Sequence, residues 1–181
     1  MIATMKEFLI VLAILLVLGV IIYNGFISRR NAMRNAFASI DVQLRKRWDL
    51  IPNLVETVKG FAKHEKEVLA SVIAARNAAP GSGERFAKED EVSAGVGRLL
   101  AVAERYPDLK SNEQFLLLQR NLTEVESQIS ASRRAFNSAV TDWNEGVEAF
   151  PGLLFAKAFN FERADWFEAR VSERENVEVS L

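Results

Sequence analysis

The sequence predicts an all-α protein, a single N-terminal transmembrane helix continuing into an antiparallel, up-down-up bundle of long helices with a short aromatic C-terminal tail. Three observations carry that reading. Residues 8–27, FLIVLAILLVLGVIIYNGFI, form an apolar run whose only polar members are Tyr23 and Asn24. Beyond it, apolar residues recur at steps of three and four over long stretches, which is the helical period. Residues that stop helices, Pro80-Gly81-Ser82-Gly83, Tyr106-Pro107-Asp108 and Pro151-Gly152, separate those stretches.

At about 1.5 Å per residue, a helix of the length of 8–27 matches the roughly 30 Å hydrocarbon core of a bilayer. A cleavable signal peptide has a shorter apolar core and an A-x-A-like site. Here the core leads into Tyr23-Asn24-Gly25-Phe26-Ile27, without such a site, so an uncleaved anchor is expected. Basic residues beside a span resist translocation. Lys6 alone precedes the run, whereas Arg29, Arg30 and Arg34 follow it. The expected organisation is a short N-terminal tail (1–7) outside, a span (8–27) in the inner, cytoplasmic membrane, and one cytoplasmic domain (28–181). The absence of cysteine suits a reducing compartment, and equally a helical bundle that needs no disulfides.

The first soluble stripe is Met33, Phe37, Ile40, Leu44, Trp48, Ile51, and Gly25 is too weak a breaker to separate it from the span. Pro52 removes a backbone donor and disfavours helix at Ile51, predicting a kink or short break over 49–52, with Asp49 capping the restart. The stripe resumes through Val55, Val58, Ala62, Leu69, Val72 and Ala75 and ends at Ala79. A helix over 87–106 carries Val92, Val96, Leu99, Leu100 and Ala103 inward, weakened by Gly95 and Gly97. Ser111 with Gln114 fits a capping box. The following helix, to Ala149, has a coiled-coil-like seam of Phe115, Leu118, Leu122, Val125, Ile129, Ser132, Phe136, Ala139, Trp143, Val147 and Phe150. At roughly 58 Å, it implies a rod. The tail holds Leu153, Leu154, Phe155, Phe159, Phe161, Trp166 and Phe167, then an alternating end at 177–181.

The net charge of −1 conceals a division. Residues 28–79 carry ten Lys or Arg against five Asp or Glu, while residues 80–181 carry twelve against eighteen. Front and back are electrostatically complementary, and neither has the strongly basic balance of a nucleic-acid binder.

The segment from Asn35 to Glu65, with its Asp49-Leu50-Ile51-Pro52-Asn53-Leu54 block, resembles the signature of the LemA family of bacterial single-span membrane proteins. Further similar segments are Tyr106-Pro107-Asp108-Leu109-Lys110, Glu124 to Ile129, Arg133-Arg134 with Phe136, Asn137 and Val140, and Phe150-Pro151 before the aromatic tail. The tail departs from the pattern, reading Phe159-Asn160-Phe161 where a glycine-containing version is expected. The resemblance implies an N-terminal anchor with its start outside, a cytoplasmic antiparallel helical bundle and no established reaction.

Chemistry-bearing motifs are sparse. His64-Glu65 matches half of the zincin motif H-E-x-x-H, whose second His would fall where Val68 stands. Carboxylates such as Glu65 with Glu67, or Glu84 with Glu89, Asp90 and Glu91, read as solvated helix faces, and Glu124 and Glu126 against Arg133 and Arg134 as helix pairing. No catalytic residue, metal site or cofactor is expected. Arg29, Arg30 and Arg34 are candidates for the membrane interface, each contributing about 1 kcal/mol with anionic headgroups. Arg45-Lys46-Arg47 is a candidate partner patch. On a continuous helix Lys46 lies about 28 Å past Ile27, well beyond the roughly 8 Å Debye length, so the trio pairs with acidic residues of the back half or docks an acidic partner, the former being preferred. Two function classes remain: a membrane-anchored scaffold that binds a protein partner, and a transducer in which span and bundle act together. Self-association is compatible with both.

Overall fold

The computed structural model describes residues 2–62, 64–77 and 82–167, and its elements are all helical. They are α1 (Ile2–Phe61), α2 (Lys66–Asn77), α3 (Ser82–Ala103), α4 (Pro107–Lys110), α5 (Glu113–Glu148) and α6 (Gly152–Phe159). The chain divides into two compact units, one of Met1–Phe37 with Arg133–Leu181 and the other of Ala38–Ser132.

In the 38–132 unit the expected stripe of α1 is inside: Ile40, Leu44, Trp48, Ile51, Val55 and Val58 are buried, and so is Leu54, whereas Phe37, expected on the same stripe, is 44% exposed. From Trp48 onward the buried residues pack with Leu69 and Val72 of α2, Val92, Leu99 and Val102 of α3, Leu109 of α4, and Phe115 and Leu122 of α5. Of the kink or short break expected at 49–52, the break is absent: α1 continues through Pro52 as far as Phe61. Asp49 therefore caps nothing. Without an N–H at Pro52, the Trp48 carbonyl lacks its usual donor four residues on. Arg76 Nε of α2 donates to that oxygen at 3.3 Å. A bond from a distant helix thus replaces the one that proline removes, and it brings the end of α2 back beside the last third of α1.

The chain turns instead between α1 and α2, where Glu65 N donates to Ala62 O at 3.1 Å. His64-Glu65, expected on a helix, lies in this link. Glu65 Oε1 holds it to the end of α3, accepting from Arg105 Nη2 at 2.9 Å and Tyr106 Oη at 3.4 Å. Gly95 earns its place in α3 by close approach, since a Cβ there would lie 3.1 Å from Val72 Cγ2. Ser82 and Gly83, expected in a turn, belong to α3, while Pro80-Gly81 lies outside the described residues. The cap of α5 is Asn112, one residue after the expected Ser111: its Oδ1 accepts from Phe115 N at 3.0 Å. Ser111 Oγ instead donates to Pro107 O and Asp108 O.

In the other unit, Phe26, Trp143, Val147 and Ala156 form a buried cluster joined by Phe155 and Phe161. Phe26 meets Trp143 edge-on at 5.7 Å and Phe161 at 5.0 Å between ring centroids. Trp143 and Val147 of the expected seam are buried, as is Val140 beside them, but α5 ends at Glu148, so Phe150 falls beyond the helix and is 81% exposed. Helix α6 stops at Asn160, which takes φ 56° as C-cap while Phe161 N donates to Ala156 O at 2.9 Å. Asparagine tolerates this left-handed conformation better than other residues with a side chain, which explains how it serves where a glycine was expected.

After Asn160 the chain lies along α5, held by two side-chain amides that imitate backbone pairing. Asn144 donates to Ala164 O and accepts from Ala164 N, both at 2.9 Å. Asn137 does the same with Phe167, at 3.0 and 2.7 Å. Trp143 Nε1 donates to Glu162 O at 2.8 Å. The alternating end at 177–181 lies outside the described residues.

Two glycines here give a contrast that can be measured. A Cβ on Gly152 would overlap the Gly146 carbonyl oxygen, a backbone atom, and would also press on the Phe26 ring. One on Gly146 would overlap only the end of the Arg29 side chain, which can swing away. Gly152→Ala is expected to cost about 1–3 kcal/mol. Gly146→Ala should leave the thermal unfolding midpoint in detergent nearly unchanged, and equal midpoints for the two variants would contradict this packing.

Candidate functional site

The surface with the clearest chemical bias is the first third of α1. Near the N-terminus α1 contains an 18-residue window of mean hydropathy 2.7, with 6% of it buried, long and apolar enough to cross a membrane. The large apolar side chains from Phe8 to Ile21 are 48–66% exposed on all faces of the helix. Further along, Phe26 is already enclosed by protein.

Arg29 and Arg34 are exposed and Arg30 is half-buried, all within the two turns that follow the apolar run. Arg29 lies over Gly146 of α5, where the missing side chain makes room for its guanidinium.

The second basic trio divides. Arg45 and Lys46 are exposed, but Arg47 is buried with 2% exposure and offers nothing to a partner. The cause is helical register: Arg47 lies three residues after Leu44 and four before Ile51, inside the apolar stripe. Its Nη1 donates to Glu126 Oε2 of α5 at 3.0 Å and to Ser93 Oγ of α3 at 2.9 Å. The Glu89 carboxylate is 3.7 Å from the same nitrogen, and Nη2 donates to Glu89 O at 3.4 Å. One guanidinium therefore ties three helices. Glu89, expected on a solvated face, is buried to 2% exposure. Glu126, expected to serve helix pairing, joins α5 to α1 through Arg47, and Arg133 stacks over the Phe167 ring at 4.7 Å.

Sequence reasoning missed the two clamping asparagines of α5. Their signal was there in outline: Asn137 and Asn144 are two polar amides seven residues apart beside an apolar seam. An open groove of about 660 Å³ lies where the end of α1 meets the start of α5, lined by Asn53, Glu56, Thr57, Asn112 and Gln114 beside Phe61 and Leu117. Its lining includes one carboxylate and no histidine, a set suited to hydrogen bonding and poor in proton-transfer groups. Among the described residues no group of three or more His, Asp or Glu could hold a metal ion.

Curated relatives are few and distant. The chain is 23% identical over 177 residues to Magnetosome protein MamQ of Magnetospirillum gryphiswaldense and 24% identical over the same length to Magnetosome protein MamQ 2 of Paramagnetospirillum magneticum. Each match covers 82% of this chain and only 65% of the relative. Protein LemA of Metamycoplasma hominis is 22% identical over 185 residues, covering 97% of this chain and 84% of that protein. The family model described as LemA family matches residues 36–181, which takes in Arg47, Glu89, Glu126 and both clamping asparagines, and the chain belongs to that family.

Proposed function

We propose that this protein is a membrane-anchored, non-catalytic helical scaffold. Residues 8–27 sit in the inner membrane with the N-terminus outside, and a helical bundle with its aromatic tail lies on the cytoplasmic face, where it binds a protein partner or a second copy. One observation carries the reading: α1 exposes large apolar side chains on every face from Phe8 to Ile21, and a lipid phase is the environment in which such a surface costs nothing. The excess of Arg29, Arg30 and Arg34 over Lys6 supports the orientation. Similarity to magnetosome and LemA proteins supports a membrane setting, and no reaction comes with it. Arg45 and Lys46 remain the exposed basic pair for an acidic partner.

A second reading, a transducer in which span and bundle act together, is favoured by the continuity of α1 from Ile2 to Phe61 through both Gly25 and Pro52. Both readings predict that a C-terminally tagged full-length chain resists alkaline extraction from membranes. Its tag should be digested by protease in inside-out vesicles and protected in intact spheroplasts. Release of the tag into the soluble fraction, or turnover of a substrate by the purified chain, would overturn the proposal. Photocrosslinkers at Arg45 and Lys46 separate the two readings: a constant partner supports a scaffold, and capture that changes with a membrane stimulus supports a transducer.

A further inference from the structure

We propose that α6 is a second membrane-inserted element, an interfacial helix that dips into the same leaflet beside the end of the span and is covered there by lipid. The inference rests on the membrane-anchor reading above and goes beyond it, since the tail then belongs to the bilayer contact.

Placement comes from contacts within one unit. Gly152 starts α6 against Phe26 and the Gly146 carbonyl, at the level where α5 ends and Arg29 crosses Gly146. From there the helix runs past the apolar end of α1. A Cβ on Gly19 would lie 3.6 Å from Phe155 Cζ, and the Tyr23 and Phe159 rings are 5.1 Å apart. Gly19 stands eight residues before Ile27, about 12 Å along the helix axis, and interfacial helices bury their apolar faces about 5–10 Å into the headgroup and acyl boundary. The chain then reverses at Asn160, and Phe161 returns to the Phe26–Trp143 cluster. Residues 150–160 thus make a short excursion past the apolar end of the span and back.

The outward face of the excursion has the wrong chemistry for water. Phe150 is 81% exposed and Leu154 58%, with Leu153 and Phe159 also exposed. The outward side chains of α6 include one charge, Lys157, whose aliphatic stem can reach the headgroups while its ammonium stays hydrated. This apolar surface is continuous with that of the span through Gly19 and Tyr23, so one lipid phase covers both.

The chain contains no cysteine, which allows the full-length protein to be labelled at single positions. Leu154→Cys and Leu153→Cys would carry an environment-sensitive fluorophore, with Val11→Cys as the span control and Leu117→Cys as the water control. Each protein is reconstituted in vesicles of phosphatidylcholine and phosphatidylglycerol. The expected result is that labels at 153 and 154 shift to the blue, are quenched by nitroxide-labelled acyl chains and lose quenching by aqueous iodide, as at Val11. If Val11 behaves so while both α6 labels behave like Leu117, the inference is overturned and the anchor reading stands. If the Val11 label is itself quenched by iodide, the anchor reading fails and this one falls with it.

Discussion

Replacing Arg47 with Met is expected to destabilise the protein by about 3–5 kcal/mol, the usual cost of removing one partner from a buried ion pair. The distances alone would point elsewhere. The shortest ionic bond of Arg47 runs to Glu126, at 3.0 Å, and that carboxylate side chain is 48% exposed. Glu89 is farther, at 3.7 Å, but 2% exposed. Burial decides between them, because a carboxylate at the surface exchanges its partner for water at little cost, whereas one inside has given up its hydration and depends on the charges packed around it. Glu126→Gln should therefore cost less than about 1 kcal/mol. The double variant Arg47→Met with Glu89→Leu should recover much of the loss, since apolar groups of similar volume commonly replace a buried pair without penalty. Urea unfolding followed by far-ultraviolet circular dichroism in mild detergent measures all of these, with the summed emission of Trp48, Trp143 and Trp166 as a second signal. An Arg47→Met variant as stable as the parent would show that the guanidinium holds nothing together.

Arg47 also marks how far the sequence was legible. Side by side, Arg45, Lys46 and Arg47 look like one basic patch, and only register separates them. Counting from Leu44 to Ile51 puts Arg47 on the apolar stripe, so local reasoning could have reached its burial. That Glu89 and Glu126 are the acids involved depends on three helices meeting. The stripe from Ile40 to Val58 was readable for a simpler reason: each residue repeats one apolar preference at one period, and all are buried as expected. Pro52 does not break the helix as its local cost suggested it could, because the remedy is remote, an Arg76 bond from another helix. The turn fell at 62–65 instead. In α5 the apolar seam was visible from Phe115 to Val147, yet Asn137 and Asn144 meant nothing until the tail backbone lay beside them. Side chains that bond to backbone leave little periodic trace, and for that reason the mode of tail attachment was not foreseen.

Phe26→Ala and Trp143→Ala should each cost about 3–5 kcal/mol, the range for emptying an aromatic site in a core, and the two losses should not add. Both rings lie in one cluster with Phe161, and Phe26 meets Trp143 at an interplanar angle of 81°, an edge-to-face pair worth about 0.5–1.5 kcal/mol beyond its buried area. Trp143 has a second role that a ring alone does not fill, because its Nε1 donates to the Glu162 carbonyl where the tail begins its run along α5. Trp143→Phe keeps an aromatic ring, though a smaller one, and removes that donor, so its expected cost is lower, about 1–3 kcal/mol. The readout is trypsin cleavage at Lys157 and Arg163: the parent should be cut slowly, Trp143→Phe somewhat faster, and the two alanine variants fastest. Phe26 lies inside the apolar run of α1, so its packing makes the end of that run part of the folded core. A fragment beginning at residue 30 lacks Phe26 and should show the same rapid cleavage as Phe26→Ala, whereas one beginning before Phe26 should keep its tail docked. Equal protection of the two fragments would mean that the tail is held by the asparagine clamps alone and that the aromatic cluster is dispensable.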